Sequence, residues 1–120
     1  LFRSQGNVYA GDSINKRIQV FDNDGNYKST ITTAGNSHSM CMTKGPNQVL
    51  FVSNTNPADD IDRDGEIYKI KLDGTVLGKF GKAGKPLKEF GTVNSIACPS
   101  ETSLWVGEIG NLRVQKLTLH

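Results

Sequence analysis

Hydrophobic and polar side chains alternate along most of this chain, which is the period of a β-strand with one buried face. No segment keeps helical spacing over a dozen residues, and the alternation is clearest in VYAG, RIQVF, VLFVS, EIYKI, LWVG and RVQKL. Between these runs lie the turn sequences DNDGN, LDGT and KGPNQ, whose Gly, Asn and Asp residues suit tight hairpins. The pattern predicts an all-β protein with antiparallel neighbouring strands.

Three segments of the chain are similar to one another. NVYAGD (7–12), VLFVSN (49–54) and SLWVGE (103–108) superimpose and place Tyr9, Phe51 and Trp105 at one position. Downstream of them, RIQVF (17–21), EIYKI (66–70) and RVQKL (113–117) also superimpose, and upstream HSMCM (38–42) matches NSIAC (94–98). A repeat of about 40 to 55 residues with four short strands indicates a β-propeller, whose blades bury their faces against each other.

The repeat divides the chain into three predicted blades, at 1–36, 37–84 and 85–120. If strands are counted from the central axis outward, the first blade lacks its inner strand and the last its outer strand. Only the middle blade is complete, and we expect about ten strands in all. Because a closed propeller has at least about four blades, we expect either a piece of a longer protein or closure with further copies.

Two segments, GDSINKRIQVFDNDG and VGEIGNLRVQKLTL, resemble NHL-repeat propellers, a family whose usual form has six blades. More narrowly, the segment from GEIYKIKLDGT to NLRVQKL is similar to bacterial proteins related to peptidyl-α-hydroxyglycine α-amidating lyase. This resemblance implies a zinc ion near the central channel, held by histidines at the starts of inner strands, and a structural calcium ion.

The resemblance makes His38, in NSHSMCMT, a candidate zinc ligand, because it stands at the start of an inner strand. Asn94 is its counterpart in the next blade, and we expect it to be a ligand-binding residue. A catalytic zinc takes three protein ligands and keeps one open position, so His38 alone cannot build the site. His120 adds no ligand at that level, and a hydrogen-bonded channel histidine is the alternative.

An insertion of seven residues between two strands of the middle unit carries Asp60, Asp62 and Asp64, followed by Gly65. Alternating carboxylates before a glycine are typical of loops that wrap calcium. An EF-hand loop would need a bidentate Glu at its twelfth position, where this chain has Lys71. The three aspartates are therefore calcium candidates, and a solvated acidic turn is the alternative that we favour.

Acidic residues and arginines recur at matching positions of two units, as Asp12 with Arg17 and Glu108 with Arg113. We expect each pair to join two neighbouring strands by a hydrogen bond. The two cysteines, Cys41 and Cys98, fit no zinc or redox spacing, and we expect two buried thiols rather than a disulfide.

A net charge of +2, with 36% hydrophobic and 22% charged residues, gives no reason to expect nucleic acid as a partner. Lys79, Lys82, Lys85 and Lys88 read as a solvated, glycine-rich connection. No apolar run is long enough to predict a membrane-spanning helix, and no signal peptide is recognisable, so the compartment stays open.

We therefore expect a propeller segment that binds a ligand or protein through its channel face, or serves as a scaffold, and is not catalytic alone. The alternative is a metal-dependent, amidating-lyase-like enzyme that cleaves an α-hydroxyglycine C–N bond once further blades complete it. Its partners would be a second copy of the chain, giving six blades in a dimer, or the remaining blades of a longer chain.

Overall fold

The computed structural model describes all 120 residues and contains eleven β-strands and no helix. The strands form three antiparallel sheets in which neighbours in sequence are neighbours in space, so the all-β prediction is confirmed. The first sheet holds β1 (Phe2–Ser4), β2 (Asn7–Asp12), β3 (Arg17–Phe21) and β4 (Tyr27–Ile31). The second sheet holds β5 (Met40–Met42), β6 (Val49–Asn54), β7 (Glu66–Lys71) and β8 (Val76–Phe80). The third sheet holds β9 (Val93–Ser100), β10 (Ser103–Glu108) and β11 (Arg113–Thr118).

The hairpin turns form where the sequence predicts them. Asp22 opens the turn between β3 and β4, and its Oδ1 accepts hydrogen bonds from the N–H groups of Asp24 and Asn26 at 2.9 and 2.8 Å. Asp73 acts in the same way between β7 and β8, where its Oδ1 accepts from the N–H of Thr75 at 2.9 Å. At the bend, each of these aspartate side chains accepts backbone hydrogen bonds that no strand carbonyl accepts. These bonds hold the turn and so fix the register of the flanking strands.

The three sheets are stacked face to face, with the second sheet in the middle. β6 is buried on both sides, and its alternate side chains enter two separate cores. The first core lies between the first and second sheets and contains Tyr9, Ile18, Val20, Ile31, Ala34, Met42, Leu50, Val52 and Ile70. The second core lies between the second and third sheets and contains Cys41, Val49, Phe51, Ile67, Phe90, Val93, Ile96, Cys98, Leu104, Val106 and Leu117.

The aromatic residue of the repeat faces the same way in each sheet. Tyr9 lies in the first core, under the second sheet, and Phe51 lies in the second core, under the third sheet. Trp105 is the third member, and it lies on the face of the third sheet that is turned away from the second core. It is 45% exposed, whereas Tyr9 is 4% and Phe51 is 0% exposed. The aromatic residues of the first and second sheets therefore pack under the next sheet along the chain, and that of the third sheet lies on an uncovered face.

β1 is a strand that the sequence pattern did not reveal. We expected the first unit to lack its inner strand, and this is wrong because β1 pairs with β2. The two are joined by a turn at Gln5 and Gly6, whose φ angles of 52° and 77° suit a two-residue hairpin. A strand of three residues shows almost no alternation, so the expected count of about ten strands falls short of the eleven present.

Cys41 and Cys98 form a disulfide, so the expectation of two free thiols is wrong. Both residues are 8% exposed and lie in the second core, and their Cα atoms are 5.9 Å apart. The reason is that β5 and β9, the first strands of their sheets, pack against each other across this core. The bond therefore links the second sheet to the third across 57 residues of sequence.

Candidate functional site

The first strands of the three sheets converge on one cavity, which we call the inner-strand pocket. Its volume is about 300 Å³, at the lower end of the range for small-molecule sites. His38 is the one titratable side chain among residues that are otherwise polar and uncharged or apolar. The pocket is lined by Leu1, Phe2, Gly11, Ser37, His38, Ser39, Met40, Asn94, Ser95 and Ile96.

His38 and Asn94, the two residues that the sequence singled out at inner-strand starts, meet in this pocket. The His38 Nε2 atom lies 3.3 Å from the Asn94 Oδ1 atom, although the residues are 56 positions apart in sequence. Because an amide oxygen only accepts, Nε2 donates in this contact. Nδ1 of a neutral His38 ring is then left as an acceptor, and both side chains are exposed to solvent.

Ser39 supplies a buried hydroxyl with unused hydrogen-bonding capacity. The residue is 5% exposed, and its Oγ has no hydrogen-bond partner. Its backbone is fixed to β6, because the Ser39 N–H donates to the Ser53 Oγ at 3.0 Å and the Ser53 N–H donates to the Ser39 carbonyl at 2.9 Å. A buried hydroxyl without a partner is costly unless water or a ligand satisfies it.

The segment before His38 is held by the neighbouring sheets. The Ser37 hydroxyl donates to the Arg17 carbonyl at 2.8 Å, and Gly11 allows this close approach. A Cβ atom at Gly11 would lie 2.7 Å from the Ser37 carbonyl oxygen, closer than such contacts occur. Asn36 is tied to the second sheet, where its N–H donates to the Asn54 Oδ1 at 2.9 Å. Hydrogen bonds to the first and second sheets therefore fix the segment that carries His38.

The three aspartates of the inserted loop do not form a ligand cluster in this structure. Asp60 and Asp62 are exposed, and the Asp60 Oδ1 accepts from the Asp62 N–H at 3.2 Å. Asp64 is half-buried and has a φ of 62°. No group of three or more His, Cys, Asp or Glu side chains is placed to hold a metal ion. The contacts are those of an acidic turn, and the calcium site stays a prediction.

Asn56 organises that loop, and the sequence analysis missed it. It is 3% exposed, and its Nδ2 donates to the carbonyls of Ile61 and Arg63 at 2.9 and 2.8 Å. Its Oδ1 accepts from the Thr92 N–H at 2.7 Å, at the entrance to β9. The only sequence signal is an asparagine before a proline, which marks many solvated turns equally well.

The expected acid and arginine pairs are confirmed. The Arg17 Nε donates to the Asp12 Oδ2 at 2.8 Å, and the Arg113 Nε donates to the Glu108 Oε2 at 2.7 Å. In the second sheet the Asn54 Nδ2 donates to the Glu66 Oε2 at 3.1 Å. The second sheet therefore keeps a cross-strand pair although both residue types differ.

The carboxylate of Glu108 accepts more hydrogen bonds than the acid of either other pair, and its side chain has no exposed surface. Besides Arg113, it accepts from the Gly91 N–H at 2.9 Å and from the side chains of Asn111 and Gln115 at 2.8 Å each. Burial raises the pKa of Glu108, but hydrogen bonds from Arg113, Gln115, Gly91 and Asn111 outweigh it and hold this pKa below its usual value. The network fixes the connection before β9.

Two lysines of the basic connection are engaged within the chain. The Lys82 Nζ lies 3.2 Å from the Glu89 Oε1, and the Lys79 Nζ lies 5.8 Å from the centre of the Tyr68 ring. His120 lines a different pocket from His38. The sequence-predicted candidates are thus separated into His38 with Asn94, the acidic loop, and the basic connection.

No protein-family model matches the chain, and no curated protein sequence matches it. The molecule also has no helix long and apolar enough to cross a membrane.

Proposed function

We propose that the chain is a segment of an NHL-type β-propeller whose inner-strand pocket binds a ligand or partner protein and does not catalyse a reaction alone. Three features support the propeller type: the threefold repeat, the face-to-face stacking of its sheets, and the common pocket at their first strands. The resemblance of GDSINKRIQVFDNDG and VGEIGNLRVQKLTL to NHL repeats supports the narrower assignment.

The contact between His38 and Asn94 is the observation that carries the binding function. These side chains come from two different sheets, yet they meet at 3.3 Å on one cavity. Met40 and Ile96 add apolar lining to the pocket, and Ser39 lies in its wall with an unpartnered hydroxyl that is closed off from solvent. This combination suits a small organic molecule with hydrogen-bonding groups and an apolar portion, or a partner side chain of that kind.

Nuclear magnetic resonance tests this binding function with a panel of small amides, alcohols and carboxylic acids as probes. We expect at least one probe to shift the backbone amide signals of residues 37–40 and 94–96. Asn94→Ala should weaken the binding of that probe, because the substitution removes the acceptor that orients the His38 ring. Asn47→Ala serves as the matched control, since Asn47 is exposed and lines a different cavity. Probe binding that leaves these amide signals unchanged would contradict the proposal.

The amidating-lyase alternative has one observation in its favour, which is the unused Nδ1 atom of His38 at the pocket. The residues present do not fit a catalytic zinc, because the pocket offers one imidazole and one amide where three protein ligands are needed. Calorimetric titration with zinc chloride separates the two functions. Stoichiometric zinc binding that is lost in His38→Ala, together with glyoxylate release from an N-acyl-α-hydroxyglycine, would favour the lyase over a binding module.

A further inference from the structure

The outer face of the third sheet carries large apolar side chains that no other part of the chain covers. We define this third-sheet outer face by Ala97, Trp105, Val114 and Lys116. Trp105 is 45% and Val114 is 67% exposed, and the Lys116 Nζ lies 5.3 Å from the centre of the Trp105 ring. Exposed apolar surface of this kind on a β-sheet commonly marks an interaction site.

The internal repeat indicates what covers this face. Val114 is equivalent to Ile18 and Ile67, which are 1% and 0% exposed because the following sheet packs on them. Trp105 is equivalent to two aromatic residues that are buried in the same way. In the first and second sheets, the sheet that covers this face is the next unit of the internal repeat.

The outer face of the first sheet is the matching surface. We define this first-sheet outer face by Val8, Ala10, Gln19 and Phe21, all of which are partly exposed. In the other two sheets, the residues equivalent to the apolar members of this face are buried against the sheet that precedes them: Leu50, Val52 and Ile70 in the second sheet, and Leu104, Val106 and Leu117 in the third. The chain therefore presents both halves of the interface that it already uses twice internally.

We propose that the third-sheet outer face docks on the first-sheet outer face of a second copy of this chain, and that two such contacts close a ring of six sheets. The inference rests on the proposed propeller fold and extends it to a partner. The second core supplies the template, since Phe51 shares it with Leu104 and Val106. By this equivalence Trp105 of one copy lies against Val8 and Ala10 of the other. A twofold axis makes the two contacts identical and leaves neither face open.

Sedimentation velocity of the 120-residue chain, with variants on each face, tests the docking. We expect a dimer at micromolar concentrations, and Val114→Glu should raise its dissociation constant by at least about tenfold, because the carboxylate would be buried against apolar side chains. Val8→Lys should weaken the dimer similarly. Ile14→Glu is the control, since Ile14 is 91% exposed and lies in the turn between β2 and β3, outside both faces. Circular dichroism and an intact disulfide verify that each variant folds.

A mixture of the Val114→Glu and Val8→Lys chains gives the sharper result. In a mixed ring one contact pairs the new carboxylate with the new ammonium, and the other contact is unaltered. Ile67 and Leu104, the equivalents of these two positions, belong to the same second core, so both new charges would lie in one interface. We therefore expect the mixture to form dimers at concentrations where each variant alone is monomeric.

Four results would overturn the inference. A wild-type chain that is monomeric at high concentration would mean that something other than a second copy covers the face. Open filaments would show that the contact forms without closing. Val8→Lys chains that dimerise like the wild type would show that third-sheet faces pair with each other, and mixtures that do not dimerise would show that the two altered positions do not meet. The inner-strand pocket is lined by one chain, so the probe titration on monomeric Val114→Glu tests the binding function separately from the docking.

Discussion

Glu108 and Asp12 occupy the same position of the repeat but lie in different surroundings. The side chain of Glu108 is fully buried and accepts hydrogen bonds from four residues, whereas the side chain of Asp12 is 28% exposed and accepts from Asn15 and Arg17. Hydrogen bonds from these two residues also lower the pKa of Asp12. The acid and arginine pair therefore stabilises a surface turn in the first sheet and a buried network in the third.

Glu108→Gln should destabilise the chain by about 3 kcal/mol, because it removes the charge that pairs with Arg113 inside a buried network. In either orientation the new amide would also place its NH2 group opposite donors that now bind the carboxylate, Gly91 and Asn111 at one oxygen or Arg113 and Gln115 at the other. Urea unfolding measures the loss. Asp12→Asn is the matched control at the equivalent position and should have a much smaller effect, since solvent screens that pair. Equal losses in the two variants would show that burial does not set the strength of the pair.

The lowered pKa of Glu108 also predicts how stability depends on pH. A carboxyl group whose folded pKa lies below its usual value of 4.5 stabilises the fold fully above that value. This stabilisation is lost as the pH falls through the folded pKa. The stability difference between the wild type and Glu108→Gln should thus be constant near neutrality and shrink below pH 4.5. A difference that grows on acidification would be the opposite of this expectation.

Sequence reasoning could predict the residues of the site that the repeat aligns, but not those that depend on contacts between sheets. The acid and arginine pairs follow from matching positions, and so does the placement of His38 and Asn94 at equivalent strand starts. The roles of Asn56 and Ser39 could not be predicted, because each depends on which loop or strand lies opposite. The contact at 3.3 Å between His38 and Asn94 could not be predicted either, because it depends on how the second and third sheets pack.

At the scale of elements, the turn residues and the alternation predict the longer strands, while short elements and bonds between sheets escape them. β1 has three residues and no alternation to detect. The Cys41–Cys98 disulfide depends on the packing of β5 against β9, which a one-dimensional pattern does not specify. Both features lie at the first strands, where the sheets meet the inner-strand pocket.

Removing the disulfide should weaken the contact between the second and third sheets. The Cys41→Ala, Cys98→Ala double variant is expected to lose about 4 kcal/mol, since closing a loop of 57 residues restricts the unfolded chain by that amount. Thermal unfolding of the double variant, compared with the oxidised wild type, measures this loss. As the control, a reducing agent should destabilise the wild type and leave the double variant unchanged. A double variant as stable as the oxidised wild type would contradict this role.

At the scale of the whole molecule, the second and third sheets each cover the aromatic face of the sheet that precedes them. This regularity explains why Tyr9 and Phe51 are buried and why Trp105 is exposed. It also explains why the second sheet, covered on both sides, has the most completely buried strand. The central claim is that this stacking continues beyond the three sheets and closes with a second copy around the inner-strand pockets.

Native mass spectrometry of the purified chain, without reducing agent, tests that claim most directly. We expect a complex of twice the 13.1 kDa chain mass, with each chain lighter by two hydrogens because Cys41 and Cys98 are bonded. A single chain carrying two free thiols would contradict both the stacking of the second sheet on the third and the docking of a second copy.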